Sequence, residues 1–345
     1  MKNKTLLFRD RPLFGLDITP LGVHAMQLKH HGKHLKVEGY AEASLDKQSL
    51  QEGTIVNPEQ VAATIKNMLA SAVTGDISAS RVAISIPADR TFSRAVNMPT
   101  LPPKELHDAI MLETEQYTPM PIDTLYVDYT PLHHAGAVEN EYFVVAAPRQ
   151  LVDSYLETAR LADLEVVLVE THVDAARRLF VQTDFGTIPS VVIDFHILSA
   201  DISIIDNDVV ATGTVSLENK AGSTSAGVQT ESDKISAAPT TRSALTPVQQ
   251  QLQLLLREVR RMIRYYQERY DKSHQIEQIV LLGNEAVLPG IASLMTDQLR
   301  LPVRSADPWQ LFEFNTHASA LPTAKRDGYM VAAGLAAAPF KQVLT

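Results

Sequence analysis

Apolar residues in this chain gather into short stretches that end on an aspartate and turn back, and the arrangement occurs twice. The first copy opens at Phe14-Gly15-Leu16-Asp17-Ile18 and continues through residues 22–28 and 35–40, around a His-Gly-Lys turn at Gly32. The second opens at Val191-Val192-Ile193-Asp194-Phe195 and continues through 200–205 and 209–215, around an Asp-Asn-Asp turn at Asn207. Short apolar runs bounded by Asp, Gly and Asn predict a three-strand meander in each copy.

Each meander leads to a segment of helical period and then to a fourth apolar strand. In the first copy Val61, Ile65, Met68 and Leu69 share one face of a helix over residues 58–72, followed by a strand at 82–86. In the second, Leu255, Val259, Met262, Ile263 and Tyr266 do the same over 247–270, followed by a strand at 279–282. The chain therefore predicts β-β-β-α-β twice. A strand that ends in Asp beside a tight turn can aim a carboxylate and backbone N–H groups into a cleft, so the duplication raises the question of nucleotide binding.

Residues from about 90 to 170 fit neither copy. They predict a strand at 93–98, a helix begun by Pro102-Pro103 with Leu106, Ile110 and Leu112 on its apolar side, and strands at 125–129 and 142–146. A further helix at 149–162 and a strand at 165–169 follow, an α+β pattern. Residues 218–245 are rich in Ser, Thr, Ala and Gly with no apolar period, and predict a flexible loop that cannot bury enough apolar surface to offset its chain entropy. The expected division is a first lobe at 12–89 completed by about 165–188, an inserted subdomain at 90–164, and a second lobe at 189–345.

Composition narrows the field. At 345 residues, two lobes are the natural expectation, and 45% hydrophobic with 21% charged residues is ordinary for a globular protein. The net charge of -9 disfavours nonspecific attachment to nucleic acid or an anionic bilayer. With no cysteine, disulfides, zinc-thiolate sites and cysteine nucleophiles are excluded. No stretch is long and apolar enough to span a membrane, and Leu6-Leu7-Phe8 is too short for a secretory signal, so a cytoplasmic chain is expected.

Four segments carry a family resemblance: the opening FGLDITPLGVHAMQL, the segment Glu113-Thr114-Glu115-Gln116-Tyr117-Thr118-Pro119-Met120-Pro121, the second meander VVIDFHILSADISII, and the closing LLGNEAVLPGIASLM. Through these the chain resembles the actin-like PilM group of type IV pilus assembly platforms, with relatives in mannose-sensitive haemagglutinin pilus systems and, more distantly, FtsA-like division proteins. The resemblance implies an α/β chain of duplicated actin/Hsp70-like (ribonuclease H-like) lobes, with an inserted α+β subdomain and a reduced small subdomain in the second lobe. It implies a cytosolic protein, peripheral at the inner membrane, that docks on the N-terminal cytosolic tail of a PilN-like bitopic membrane protein. It also implies ATP with magnesium between the lobes.

The cleft residues depart from that pattern. The family's first phosphate turn reads roughly D-I-G-S-S; here Asp17 and Thr19 remain, but Pro20 has no N–H to donate and the glycine position is the β-branched Thr19. In the second turn the glycine after Asp194-Phe195 is replaced by His196. The adenosine-side turn, G-G-G in the family, reads Gly283-Asn284-Glu285, which puts a carboxylate near a polyanion. Residues 218–245 stand where the family has a small subdomain over the base. The expectation is a vestigial nucleotide cleft in a scaffold protein; the alternative is an active ATPase that cycles in pilus assembly or FtsA-like filaments. On either reading Asp17 and Asp194 can also be plain turn-capping residues. Self-association stays open.

Other candidates read more simply. His30, His31, His34, His133 and His134 lack Cys or acidic neighbours at ligand spacing, so no metal site is expected. Arg257, Arg260, Arg261 and Arg264 occupy the solvated side of the 247–270 helix, so a nucleic-acid face is not expected. Walker A, G-x-S-x-G, H-E-x-x-H and G-x-G-x-x-G motifs are absent, which removes the usual footing for a small-molecule kinase. The 113–121 segment either fixes the inserted block on its lobe or walls a groove for an extended tail, with Ile86, Pro87, Met98, Pro99 and Tyr117 as its lining.

Overall fold

The apolar run at the start of each copy becomes a strand covered on both faces, which is why it reads as continuous rather than alternating. The computed structural model describes residues 12–31, 34–46, 48–133, 140–196, 199–217, 247–270, 274–283, 290–314 and 320–338. The first lobe opens with β1 (Phe14–Thr19), β2 (Gly22–His31) and β3 (His34–Ala43), an antiparallel meander. A small hairpin of β4 (Leu50–Gln51) and β5 (Thr54–Ile55) precedes α1 (Pro58–Ser71), whose Pro58 sits where a missing N–H costs nothing. Strand β6 (Thr74–Gly75) lies beside β3, and β7 (Arg81–Ile86) runs parallel to β1.

The inserted block is an antiparallel sheet of β8 (Phe92–Asn97), β9 (Leu125–Pro131) and β10 (Glu141–Pro148), with β10 central and α2 (Pro103–Tyr117) packed on it. Its core is Val96, Ile110 and Val144, flanked by Met98, Leu106 and Tyr117. Leu112, expected on the apolar side of this helix, is 62% exposed. Two residues beyond Ile110 is about 200° around the helix, so the buried face runs from Ile110 to Thr114 instead.

Helix α3 (Arg149–Leu161), grouped with the inserted block by sequence, buries Leu151, Val152 and Tyr155 in the first lobe's core beside Val61 and Ile65. Strand β11 (Glu165–Thr171) then lies parallel to β7, and α4 (His172–Phe180) follows at once, capped by Thr171. The second lobe repeats the scheme with β12 (Ser190–Phe195), β13 (Ser199–Asp206), β14 (Asp208–Ser216), α5 (Pro247–Arg269), β15 (Gln278–Gly283), α6 (Ile291–Leu299) and β16 (Val303–Ser305).

The two sheets match strand for strand: β3-β2-β1-β7-β11 in the first and β14-β13-β12-β15-β16 in the second. The end of the chain does not stay in the second lobe as expected. Strand β17 (Phe312–Phe314) pairs with β3, and α7 (Met330–Ala336) packs on β1. That approach needs bare backbone: a Cβ on Gly15 would stand 2.0 Å from the Ala332 carbonyl oxygen, and one on Gly334 2.2 Å from that of Ala175. The 218–245 segment, with its expected flexibility, lies outside the described residues.

Candidate functional site

The C-terminal ends of β1 and β12 bring their aspartates to the junction of the two lobes. Asp17, 4% exposed, accepts a hydrogen bond from Ser85 Oγ at 2.7 Å, and His172 Nε2 at the start of α4 lies 3.4 Å from the same carboxylate. Burial alone pushes the Asp17 carboxyl up, but His172 and Ser85 outweigh it and hold it below its ordinary value. Burial opposes the imidazolium of His172 in turn, and Asp17 overcomes that and raises it. Thr19 closes its own turn: its hydroxyl donates to the Gly22 carbonyl at 3.2 Å and accepts from the Leu21 N–H at 3.3 Å.

In the second lobe Asp194 and Asp201 stand directly opposite each other on β12 and β13, both buried. Two carboxylates in cross-strand register repel, and a proton on one or a neighbouring cation relieves that repulsion. His196 supplies the cation, with Nε2 3.2 Å from Asp201 and 3.9 Å from Asp194. Despite its burial, the two aspartates push the imidazole up to about 10. Thr214 Oγ1 donates to Asp201 at 2.6 Å. Burial would raise the Asp201 carboxyl, but His196, His172 and Thr214 bring it below its ordinary value, while burial keeps that of Asp194 above.

The two imidazoles meet across the junction, ring centroids 6.2 Å apart. The result is one line of charged groups across the junction: the Asp17–His172 pair from one lobe, and His196 with Asp201 and Asp194 from the other. Within it the structure joins three of the sequence candidates, Asp17, Asp194 and His196. Gly283 is the last residue of β15 and pairs with Phe195, while Asn284 and Glu285 lie outside the described residues.

Sequence reading missed His172 and Ser85. Ser85 had a signal, a lone hydroxyl inside the apolar run Val82-Ala83-Ile84-Ser85-Ile86, whereas His172 had none, because its partner lies in a distant part of the chain.

The five groove candidates scatter around the inserted block. Ile86 is 4% exposed and faces the first lobe's core; Met98 flanks the block's own core; Pro99 is exposed; and Pro87 caps the turn at residues 88–90. Tyr117 borders a cavity of about 370 Å³ shared with Asp89, Phe92, Arg94, Thr212 and Thr214, where the inserted block faces the second lobe. Its hydroxyl is buried beside Thr114, and the Arg94 guanidinium stands 5.4 Å from its ring centre. Ser93 and Thr212 hydroxyls bond across the same seam at 2.6 Å, and Arg269 of α5 reaches the buried Glu141 of β10 at 2.7 Å.

A family model described as Type IV pilus assembly protein PilM matches residues 15–211 and 228–340. Among solved structures, the PilM-PilN type IV pilus biogenesis complex contains a chain 20% identical to this one, with 96% of this chain and 99% of that one covered and a TM-score of 0.73. The cytoplasmic domain of EpsL, an inner-membrane component of the type II secretion system of Vibrio cholerae, is 10% identical with coverages of 97% and 98% and a TM-score of 0.50. At these identities the structural likenesses speak for the fold alone, while the family rests on the match along the sequence.

Proposed function

Because the chain belongs to the Type IV pilus assembly protein PilM family, we propose that it is a scaffold of a pilus assembly platform that binds the cytosolic tail of a PilN-like bitopic membrane protein and does not turn over ATP. The observation that carries this reading is the charge line at the lobe junction. Where an ATP-binding relative needs room and N–H donors for phosphates, this chain has Asp17 already held by Ser85 and His172, and the His196 backbone N–H already bonded to the Ser199 carbonyl at 2.9 Å. Pro20 removes a further donor. A magnesium ion would have to displace imidazolium from Asp17, and a phosphate chain would meet three buried carboxylates. These residues do not fit the nucleotide.

Tail docking draws on other residues. No helix among the described residues is long and apolar enough to cross a membrane, so attachment through a partner is the reading that fits. We place the tail at the inserted block in the cavity beside Tyr117, where an extended segment finds an aromatic wall.

Calorimetric titration with ATP and magnesium should give no saturable heat; low-micromolar binding would replace this reading with that of a cycling ATPase. A peptide of the partner's cytosolic tail should bind the full chain, and Tyr117→Ala should weaken it by about tenfold or more. Absence of binding to the wild type would remove the scaffold reading.

A further inference from the structure

Helix α2 carries an outward stripe that nothing among the described residues covers. Glu105, Asp108, Leu112 and Glu115 follow one another at helical spacing on its solvent side, all exposed. Leu112 is the most exposed large apolar side chain among the described residues. Leu112 thus stands as a single exposed apolar side chain on an acidic face.

The complementary shape lies on the second lobe. Between α5 and α6 runs a groove of about 780 Å³ with an apolar floor of Leu252, Leu256 and Leu294 and a rim of Arg257, Arg260 and Arg264. Arg261 is bound to Glu258 on its own helix, and Arg260 donates to the Gln298 side chain at 2.9 Å. Among the described residues Arg257 and Arg264 have no carboxylate partner. The rim is therefore a cationic patch on a chain of net charge -9.

We propose that these two faces bind each other between copies of the chain, with the α2 stripe of one copy seated in the α5–α6 groove of the next. Leu112 enters the apolar floor, while Glu105, Asp108 and Glu115 meet the arginine rim. At about 1.5 Å per residue the stripe spans about 15 Å and the arginines about 10 Å, so the stripe overruns the rim by about one helical turn. Because the contact joins two different faces, each bound copy keeps one of each free, and assembly continues as an open chain or closes as a ring. This contact uses neither the charge line nor the Tyr117 cavity, and stands or falls independently of tail docking.

The test is sedimentation velocity of the full chain over a concentration series. Wild type should self-associate and revert to monomer in high salt, which screens charges at a rim open to solvent. A groove-reversed variant (Arg257→Glu, Arg260→Glu, Arg264→Glu) and a stripe-reversed variant (Glu105→Lys, Asp108→Lys, Glu115→Lys) should each associate at least about tenfold more weakly, since both place like charges in contact. Mixed in equal amounts they should assemble again, because each then offers the charge the other lacks; that recovery also shows both are folded. With no native cysteine, Leu112→Cys and Gln298→Cys chains should cross-link to each other on oxidation. A wild type that stays monomeric throughout, or reversed variants that assemble as well as wild type, overturns the proposal. Monomeric wild type that co-sediments with phosphatidylserine vesicles through Arg257 and Arg264 would assign the groove to lipid and equally overturn it.

Discussion

Opposite Asp17, across β1 and β2, stands His24; opposite Asp194, across β12 and β13, stands Asp201. The strands are equivalent and so are the registers, yet one lobe sets an acid beside a ring and the other sets two acids face to face. The first lobe reaches across to the start of α4 for His172, while the second finds its cation two residues on, just past the end of β12, in His196. The inner layers differ in the same way. Gly15 and Ala83 admit α7 against the first sheet, whereas Val192 and Val280, at the matching places in the second, pack with Phe180, Ile205 and Leu282. A duplicated topology is thus maintained by apolar strand interiors, and the strand ends and inner faces are free to diverge.

The largest expected effect tests the inner layers. Gly15→Val drives two methyl groups into the α7 backbone and should cost about 3 kcal/mol or more, from overpacking that cannot relax past a carbonyl. Val192→Ala at the matching position in the second lobe only opens a small cavity and should cost about 2 kcal/mol. Urea unfolding of both variants checks the order; equal losses would mean that α7 yields and the close approach is not selective for glycine.

Next comes the carboxylate pair. His196→Leu leaves Asp194 facing Asp201 without a cation and should cost about 2 kcal/mol, below the roughly 3–5 kcal/mol of a fully buried broken pair because the imidazole is 26% exposed. His196 also carries a signature in pH. Its proton is held up to about 10 in the folded chain against 6.5 ordinarily, so its contribution is complete below pH 6.5 and is lost as pH rises toward about 10. The wild-type melting temperature should fall across that window, and the decline should be shallower in His196→Leu. Asp17 and Asp201, held low, work in the opposite sense and lose their contribution as pH falls below 3.8.

How much of this was legible beforehand follows from what each feature depends on. The meanders, α1 and α5 lay open in the sequence because alternation and helical period are local, and both copies of Asp stood at strand ends. Membership was harder to read. An apolar stripe such as Leu151, Val152 and Tyr155 announces a buried helix face but not which sheet it covers, so α3 fell to the wrong neighbour, as did α7. Leu112 looked like core by residue type, and only its angle around α2 sets it outside. The charge line was half visible: His196 stood out as a ring in place of a glycine, while the pairing of Asp17 with His172 depends on how two distant segments converge.

The smallest effect asks whether the two halves of the charge line act as one. Ser85→Ala and Thr214→Val each remove a hydroxyl from a buried carboxylate, one per lobe, and each should cost about 1.5 kcal/mol, as for hydrogen bonds to charged groups. If the lobes titrate independently, the double variant loses the sum to within about 0.3 kcal/mol. The neighbouring imidazoles argue otherwise. A weakened hold on Asp17 changes how firmly it keeps the His172 proton, and that proton bears on His196 across 6.2 Å. A non-additive term of about 0.5 kcal/mol or more is therefore expected, and it should vanish in a His172→Gln background, where the cationic link is gone while a polar side chain remains. Additivity in both backgrounds would separate the line into two local caps, each serving only its own strand end.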